Sequence, residues 1–211
     1  HWLRELSNIL STNKKVIIVG GTGLYFSALT DGLANIPKIS DETKIIGKKR
    51  LLKYGVQDLL KDLDRETIES IDINNQMRVI RAWEVFKETG KSLKKWQNKT
   101  GTPILPLIKC QPLVINPNKN DLDKKIRARF KEMIKMGALD EARKNLDMWN
   151  QGLIASKAIG ASELISYLKN EITLEEAITT ASIATRQYAK RQRTWIKARM
   201  KQWNDVTELI N

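Results

Sequence analysis

The chain has 211 residues, 41% hydrophobic and 29% charged, a balance that excludes an unfolded polar chain and leaves room for one large or two small cored domains. One cysteine (Cys110) and one histidine (His1) exclude an internal disulfide and argue against zinc or histidine-dependent chemistry. Thirty-seven Lys and Arg against 24 Asp and Glu give +13, a field that concentrates polyanions; nucleic acid leads, with an anionic membrane surface or simple solubility as alternatives.

Trp2, Leu3, Leu6, Ile9 and Leu10 follow helical spacing, so the chain opens in an amphipathic helix and shows no secretory pattern. No apolar run approaches the ~20 residues that cross a bilayer, which predicts no membrane partner. Val16 to Val19 is an unbroken apolar run with β-branched residues, the pattern of a strand buried on both faces of a parallel sheet. Gly20, Gly21 and Gly23 then allow a sharp turn and close approach to a ligand, because no Cβ intervenes. Leu24 to Leu29 begins a helix, with Gly32 placed as its C-cap. Strand, glycine turn and helix N-terminus together make a place for an anion, and Thr22 adds a hydroxyl at the tip. An ordinary tight βα connection is the alternative.

A helical stretch begins near Ser40, where Asp41 and Glu42 favour a helix N-terminus, and short amphipathic helices continue through Phe86. Thr100 to Pro103 is a loop. Leu107 to Ile115 reads as a second buried strand stopped by Pro117, which makes Cys110 a strand-core residue in a reducing compartment. Asp121 to Asp147 is one or two helices broken near Gly137, and Gly152 to Ile159 a loop or short helix. Leu174 to Met200 carries a long helix, and Val206 to Ile210 is a candidate last strand. Two or three strands cannot make a covered parallel sheet, so their neighbours are expected before His1.

Glu88-Thr89-Gly90-Lys91-Ser92 imitates the end of a phosphate-binding loop. However, the position five before Gly90 is Val85, not glycine, and the preceding residues are helical in period. A helix end capped by Gly90 fits better. From Arg186 to Trp203 there are seven Lys and Arg and no acid. At ~100° per residue Arg186, Lys190, Arg193, Lys197 and Lys201 share roughly 80° of arc, with Ala184, Tyr188 and Trp195 opposite. Such a stripe forgoes i,i+4 pairing and stores repulsion, which points to an RNA partner over a plain solvated face.

Val19-Gly20-Gly21-Thr22-Gly23-Leu24-Tyr25-Phe26, Asp31-Gly32-Leu33 and Ile36-Pro37 together resemble the bacterial tRNA dimethylallyltransferases (tRNA isopentenyltransferases). So does Ala184-Thr185-Arg186-Gln187-Tyr188-Ala189-Lys190-Arg191-Gln192-Arg193-Thr194-Trp195, with Arg78 to Val85 and Arg129 to Gly137 in family order between them. The resemblance covers nearly the whole chain and matches the last two thirds or so of the family pattern. It implies an α/β fold, a P-loop-type parallel sheet, incomplete here, with an inserted all-helical tRNA-contacting domain. On that pattern residues 1–38 are a core part, 39–104 the helical insertion, and 105–211 a core part with the basic C-terminal helix.

The implied activity is transfer of a dimethylallyl group from its diphosphate to the exocyclic amine of the adenosine beside the anticodon, releasing diphosphate. The partners implied are dimethylallyl diphosphate and the tRNA anticodon stem–loop, met by a cytoplasmic monomer that belongs among ATP-type nucleotide-binding folds. By resemblance Thr22 donates to the bridging oxygen of the leaving group and Gly20, Gly21 and Gly23 form the diphosphate turn. Arg129 is the candidate cation for the diphosphate, with Arg127 as fallback and a structural helix cation as the alternative. Lys190, Arg191, Arg193, Trp195 and Lys197 take the tRNA, as do Met77, Arg78 and Arg81. Lys44 stands where the family has Arg, keeping charge without the bidentate fork. Lys157-Ala158-Ile159-Gly160-Ala161-Ser162 replaces Arg-x-x-Gly-Tyr-Arg, so contacts from this loop, Lys157 included, are expected to be weaker. Mg²⁺ is implied, with its ligand in the P-loop part, as is an Asp general base upstream. Two other readings stay open: a non-catalytic tRNA-binding fragment, and a P-loop nucleotide phosphotransferase. A simple basic interaction protein is a third.

Overall fold

The computed structural model describes residues 2–12 and 15–209, which divide into two compact units, each built around its own helices. His1 and Ile210, named above, lie outside the described residues.

The first unit comprises His1–Gly20 and Leu24–Cys110. It opens with α1 (Trp2–Leu10), as the spacing predicts, and α2 (Gly23–Thr30) follows the glycine turn. Gly32 has φ +83°, and a Cβ there would meet the Gly101 carbonyl at 2.2 Å, so both conformation and space require glycine. Nearby, Gly101 N–H donates to Leu33 O and Leu105 N–H to Leu29 O, while Ala34 bridges Thr100. Five helices follow: α3 (Asp41–Tyr54), α4 (Val56–Leu60), α5 (Arg65–Ser70), α6 (Gln76–Thr89) and α7 (Leu93–Gln97). Ser40, Asp64, Asn75 and Ser92 accept from the first-turn amides of α3, α5, α6 and α7, which explains why each starts where it does. Gly90 closes α6 in the left-handed region, so the Gly-Lys-Ser sequence is a helix end.

The core of this bundle joins Leu59, Leu63, Val79, Ile80, Ala82 and Trp83, with Leu51, Ile68 and Phe86 packed against them. Trp83 is 1% exposed, yet its indole N–H is satisfied by Asp62 at 2.7 Å. Arg50 holds Asp62 at 2.6 Å and Asp58 at 2.7 Å, with its guanidinium 5.3 Å above the Trp83 ring.

The second unit comprises Gly21–Gly23 and Gln111–Asn211. Two short parallel strands, β1 (Leu113–Val114) and β2 (Asn204–Asp205), pair Leu113 with Asn204 and Val114 with Asp205. Four helices follow β1: α8 (Lys119–Met133), α9 (Leu139–Lys144), α10 (Ala161–Leu168) and the 26-residue α11 (Leu174–Arg199). The break expected near Gly137 is a π-helical turn, Ile134–Ala138, in which Gly137 takes φ +106°. Phe130, Leu164, Ile178 and Ala181 form the core here.

The fold is thus α/β, mostly helical with a small parallel ladder, and four local expectations need correction. Val16 to Val19 forms no strand and joins no ladder, and Ile17 and Val19 are each 89% exposed. A strand buries its faces only when other segments flank it, and the described residues supply no such partner. Leu107 to Ile115 splits into a 3₁₀ turn at Leu107–Lys109 and the two-residue β1, because Pro106 and Pro112 withhold ladder donors. Cys110 is accordingly no strand-core residue: it ends the 3₁₀ turn, half-buried, with its thiol against the Leu107 carbonyl. Val206 to Leu209 is a capped turn rather than a strand, since the Thr207 hydroxyl accepts from Asn116 N–H and its own amide donates to Asp205.

Candidate active site and nucleic-acid interface

Gly21, Thr22 and Gly23 belong to the same unit as α11 and lie directly on it. The Gln192 side-chain amide donates to the Gly21 carbonyl at 2.8 Å, across 171 positions of sequence. A Cβ on Gly23 would fall 2.1 Å from the Trp195 ring, and one on Gly21 would fall 2.3 Å from the Gln192 amide nitrogen. Neither glycine has a positive φ; at Gly23 space demands glycine, because the neighbour is the Trp195 ring, whereas at Gly21 the neighbour is the movable end of Gln192. Gly20, just outside this contact, would place a Cβ an ordinary 3.6 Å from the Phe26 ring. Thr22 itself is exposed and makes no hydrogen bond among the described residues.

α11 is a two-part helix. Its first half buries Ala177, Ile178, Ala181 and Ser182, and Thr173 caps it reciprocally with Glu176. Its second half carries Lys190, Arg191 and Lys197 exposed and Arg193 half-buried. With ~100° per residue, Lys190, Arg193 and Lys197 share one face, while Gln192 and Trp195 look out on the other side, roughly a helix diameter of ~10 Å away. One helix therefore presents cations outward and holds the glycine turn behind them. Arg186 leans 3.9 Å from Asp123, Arg191 sits 5.8 Å above the Tyr188 ring, and Lys201 falls outside the stripe because Met200 ends the helix.

On α8, Arg127 is paired with Glu175 in the first turn of α11, both side chains remaining largely exposed. Arg129 is exposed, and among the described residues it makes no ion pair. It projects roughly 200° round α8 from Arg127. Among the described residues no hydrogen bond joins it to the glycine turn. Asp123, Lys124, Arg127, Ala128 and Lys131 line a shallow open groove of ≈ 450 Å³ on the α8 face carrying Arg127. Gly160, in the loop that carries Lys157, has φ +95°, and a Cβ there would meet the Phe130 ring at 2.4 Å. Lys157 is exposed beside it in a 3₁₀ turn.

In the first unit Met77 is 74% exposed and Arg78 projects from the first turn of α6. Arg81 is drawn toward Glu84 at 3.9 Å. Lys44 holds Asp41 at 2.8 Å, and that bond, with the ammonium charge, keeps the Asp41 carboxyl below its usual range. The Glu88 carboxyl is likewise lowered, first by the Thr43 hydroxyl and then by Ser40. Gln192 escapes a search for charge or nucleophiles because it is neutral. Its only sequence signal is a polar side chain on the packing side of a cationic helix.

In this α/β chain a hydroxyl-tipped glycine turn thus lies against a helix whose outer face carries cations of one sign. The family model for IPP transferase matches residues 1–199, and the chain belongs to that family. It is 47% identical to a tRNA dimethylallyltransferase of Cereibacter sphaeroides over 98% of its own length and 66% of that protein. A Ruegeria tRNA dimethylallyltransferase is 47% identical over 98% of this chain and 70% of its own. The chain thus spans about two thirds of the length of the curated relatives it matches. Among solved structures, a tRNA delta(2)-isopentenylpyrophosphate transferase of Staphylococcus epidermidis superposes with TM-score 0.56 at 29% identity, covering 99% of this chain and 68% of that one. A eukaryotic dimethylallyltransferase, captured acting on tRNA, shares the fold with TM-score 0.72 at 24% identity, over 92% of this chain and 50% of that one.

Proposed function

We propose that this chain forms the tRNA- and diphosphate-handling part of a tRNA dimethylallyltransferase. The observation that carries the reading is the docking of the Gly21–Gly23 turn on α11, the helix that bears Lys190, Arg193 and Lys197. In the reaction the exocyclic amine of the adenosine beside the anticodon attacks the terminal allylic carbon. The carbon–oxygen bond to diphosphate breaks, and the amine proton passes to a base, for which no residue of this chain is assigned. The Thr22 hydroxyl donates to the bridging oxygen as charge builds there. Arg129, free of ion pairs among the described residues, is the cation offered to the diphosphate, while Arg127 serves the α8–α11 contact.

The target base leaves its stack to reach the electrophile, at a cost of a few kcal/mol of unstacking. Lys190, Arg191, Arg193 and Lys197 hold the anticodon stem–loop, while Trp195 supports them from behind, its ring packed on Gly23. Met77, Arg78, Arg81 and Lys44, on the helical insertion of residues 39–104, add phosphate contacts, and Lys157 contributes weakly. Mg²⁺ would offset diphosphate charge. Among the described residues no group of three His, Cys, Asp or Glu could hold a metal ion. The protein acts as a cytoplasmic monomer in this reading. No helix among the described residues is long and apolar enough to cross a membrane.

The test is label transfer from dimethylallyl diphosphate to tRNA by the full-length protein. Thr22→Ala is expected to slow it by about 10²–10³-fold, the usual cost of one oxyanion donor. Unchanged transfer would remove Thr22 from the mechanism. The 211-residue chain alone is expected to bind tRNA without turnover. Charge removal at Lys190 and Arg193 should flatten the salt dependence of that binding by about 0.7–0.9 in log K per log salt for each phosphate no longer neutralised.

A further inference from the structure

We propose that Gln192, backed by Trp195, is a positioning residue: it clamps the Thr22 turn to α11, so that RNA on the outer face of that helix fixes where the Thr22 hydroxyl stands. The proposal rests on the reading of Thr22 given above.

The Gly21 carbonyl and the Thr22 N–H belong to one planar trans peptide unit and point in opposite directions. Gln192 holds the carbonyl at 2.8 Å, which turns the Thr22 N–H away from α11 and sets the tilt of the Thr22 Cα. The second constraint is steric. Gly23 lies so close to the Trp195 ring that even a methyl group would overlap it, so the turn cannot slide further onto the helix. Gln192 and Trp195 stand three residues apart, neighbours on one side of α11. One limits rotation of the turn and the other translation.

The cations lie round the helix from this pair, so RNA bound there need not touch the clamp. Its effect travels through the helix. The second half of α11 buries no residue before Met200, in contrast to the first, and ligand contacts along its outer face reduce its motion. A turn tied to that half by a hydrogen bond and a ring contact is quieted with it. A turn tied only by chain connectivity is not.

The experiment follows conformational exchange at the Thr22 and Gly23 amides by 15N relaxation dispersion in the 211-residue chain, with and without tRNA. The chain is compared with Gln192→Met, which keeps length and neutrality but cannot donate to a carbonyl, and with Gln192→Ala. In the native chain tRNA should slow exchange at the turn by about five- to tenfold, the population change set by one hydrogen bond of ordinary strength. Both variants should bind tRNA with unchanged affinity and show no such slowing. In the full-length protein they should lower kcat by a similar factor and leave the KM for tRNA alone. Slowing that survives in Gln192→Met, or native slowing that is absent despite tight binding, overturns the clamp. A collapse of tRNA affinity in both variants would make Gln192 an RNA contact, and melting of the fold in both would make it a core residue; either overturns the proposal. A native chain that binds no tRNA at all would instead strike at the function proposed above.

Discussion

The helical bundle of residues 41–97 and the stretch of Val16 to Val19 are both rich in apolar residues, and they have opposite fates. In the bundle Leu59, Val79, Ala82 and Trp83 are buried because residues three and four apart fall on one face and meet similar faces a few residues away. Even its charges are matched locally, with Arg50 reaching Asp58 and Asp62 within a dozen residues. Ile17 and Val19 are no less hydrophobic, yet stand in the open, because a strand needs long-range partners on both edges and both faces. Helical segments can close a core from what lies nearby, whereas an isolated strand cannot.

The contrast can be broken at its strongest point by Trp83→Ala. Loss of the ring and of its bond to Asp62 should cost about 3–5 kcal/mol, read as a lowered midpoint in urea unfolding. A cost near zero would mean that the bundle does not depend on its own core. A middle-sized effect sharpens the role of local charge. Asp62 is held below the ordinary carboxyl range, first by the Trp83 N–H and then by Arg50. A depressed native pKa contributes stability above the unfolded value, near 4, that disappears as pH falls through the native one. Asp62→Asn should therefore be less stable than the parent at about pH 6 and approach it below about pH 3. The smallest effect is expected from Ile17→Thr with Val19→Thr, within about 0.5 kcal/mol in this chain, as for other surface changes. A loss above about 1 kcal/mol would show that the stretch is covered after all.

The same physics decides what can be read from sequence. The α3 and α11 boundaries are legible because Ser40 and Thr173 act on amides three residues away, and the break at Gly137 because glycine alone tolerates φ +106°. The Leu107 to Ile115 run reads as a strand by hydropathy, but Pro106 just before it and Pro112 within it govern the backbone. At the candidate site the glycines are legible and their reason is not. Close approach can be inferred, yet that Gln192 and Trp195 make it depends on a contact spanning 171 positions, which no local pattern encodes. Helical period alone places the cations of α11 on one face, except at Lys201, where Met200 has already ended the helix.

The length of α11 has a mechanical consequence. Twenty-six residues at about 1.5 Å each make a rod of about 39 Å. Its near end is gripped by Phe130 and Leu164, and its far end carries the contacts to the turn. Such an arrangement is a lever: a few degrees of tilt at the fulcrum becomes an ångström or more at the tip. Substitutions at Ile178 or Ala181, which face no ligand, should therefore misaim distant chemistry before they unfold anything.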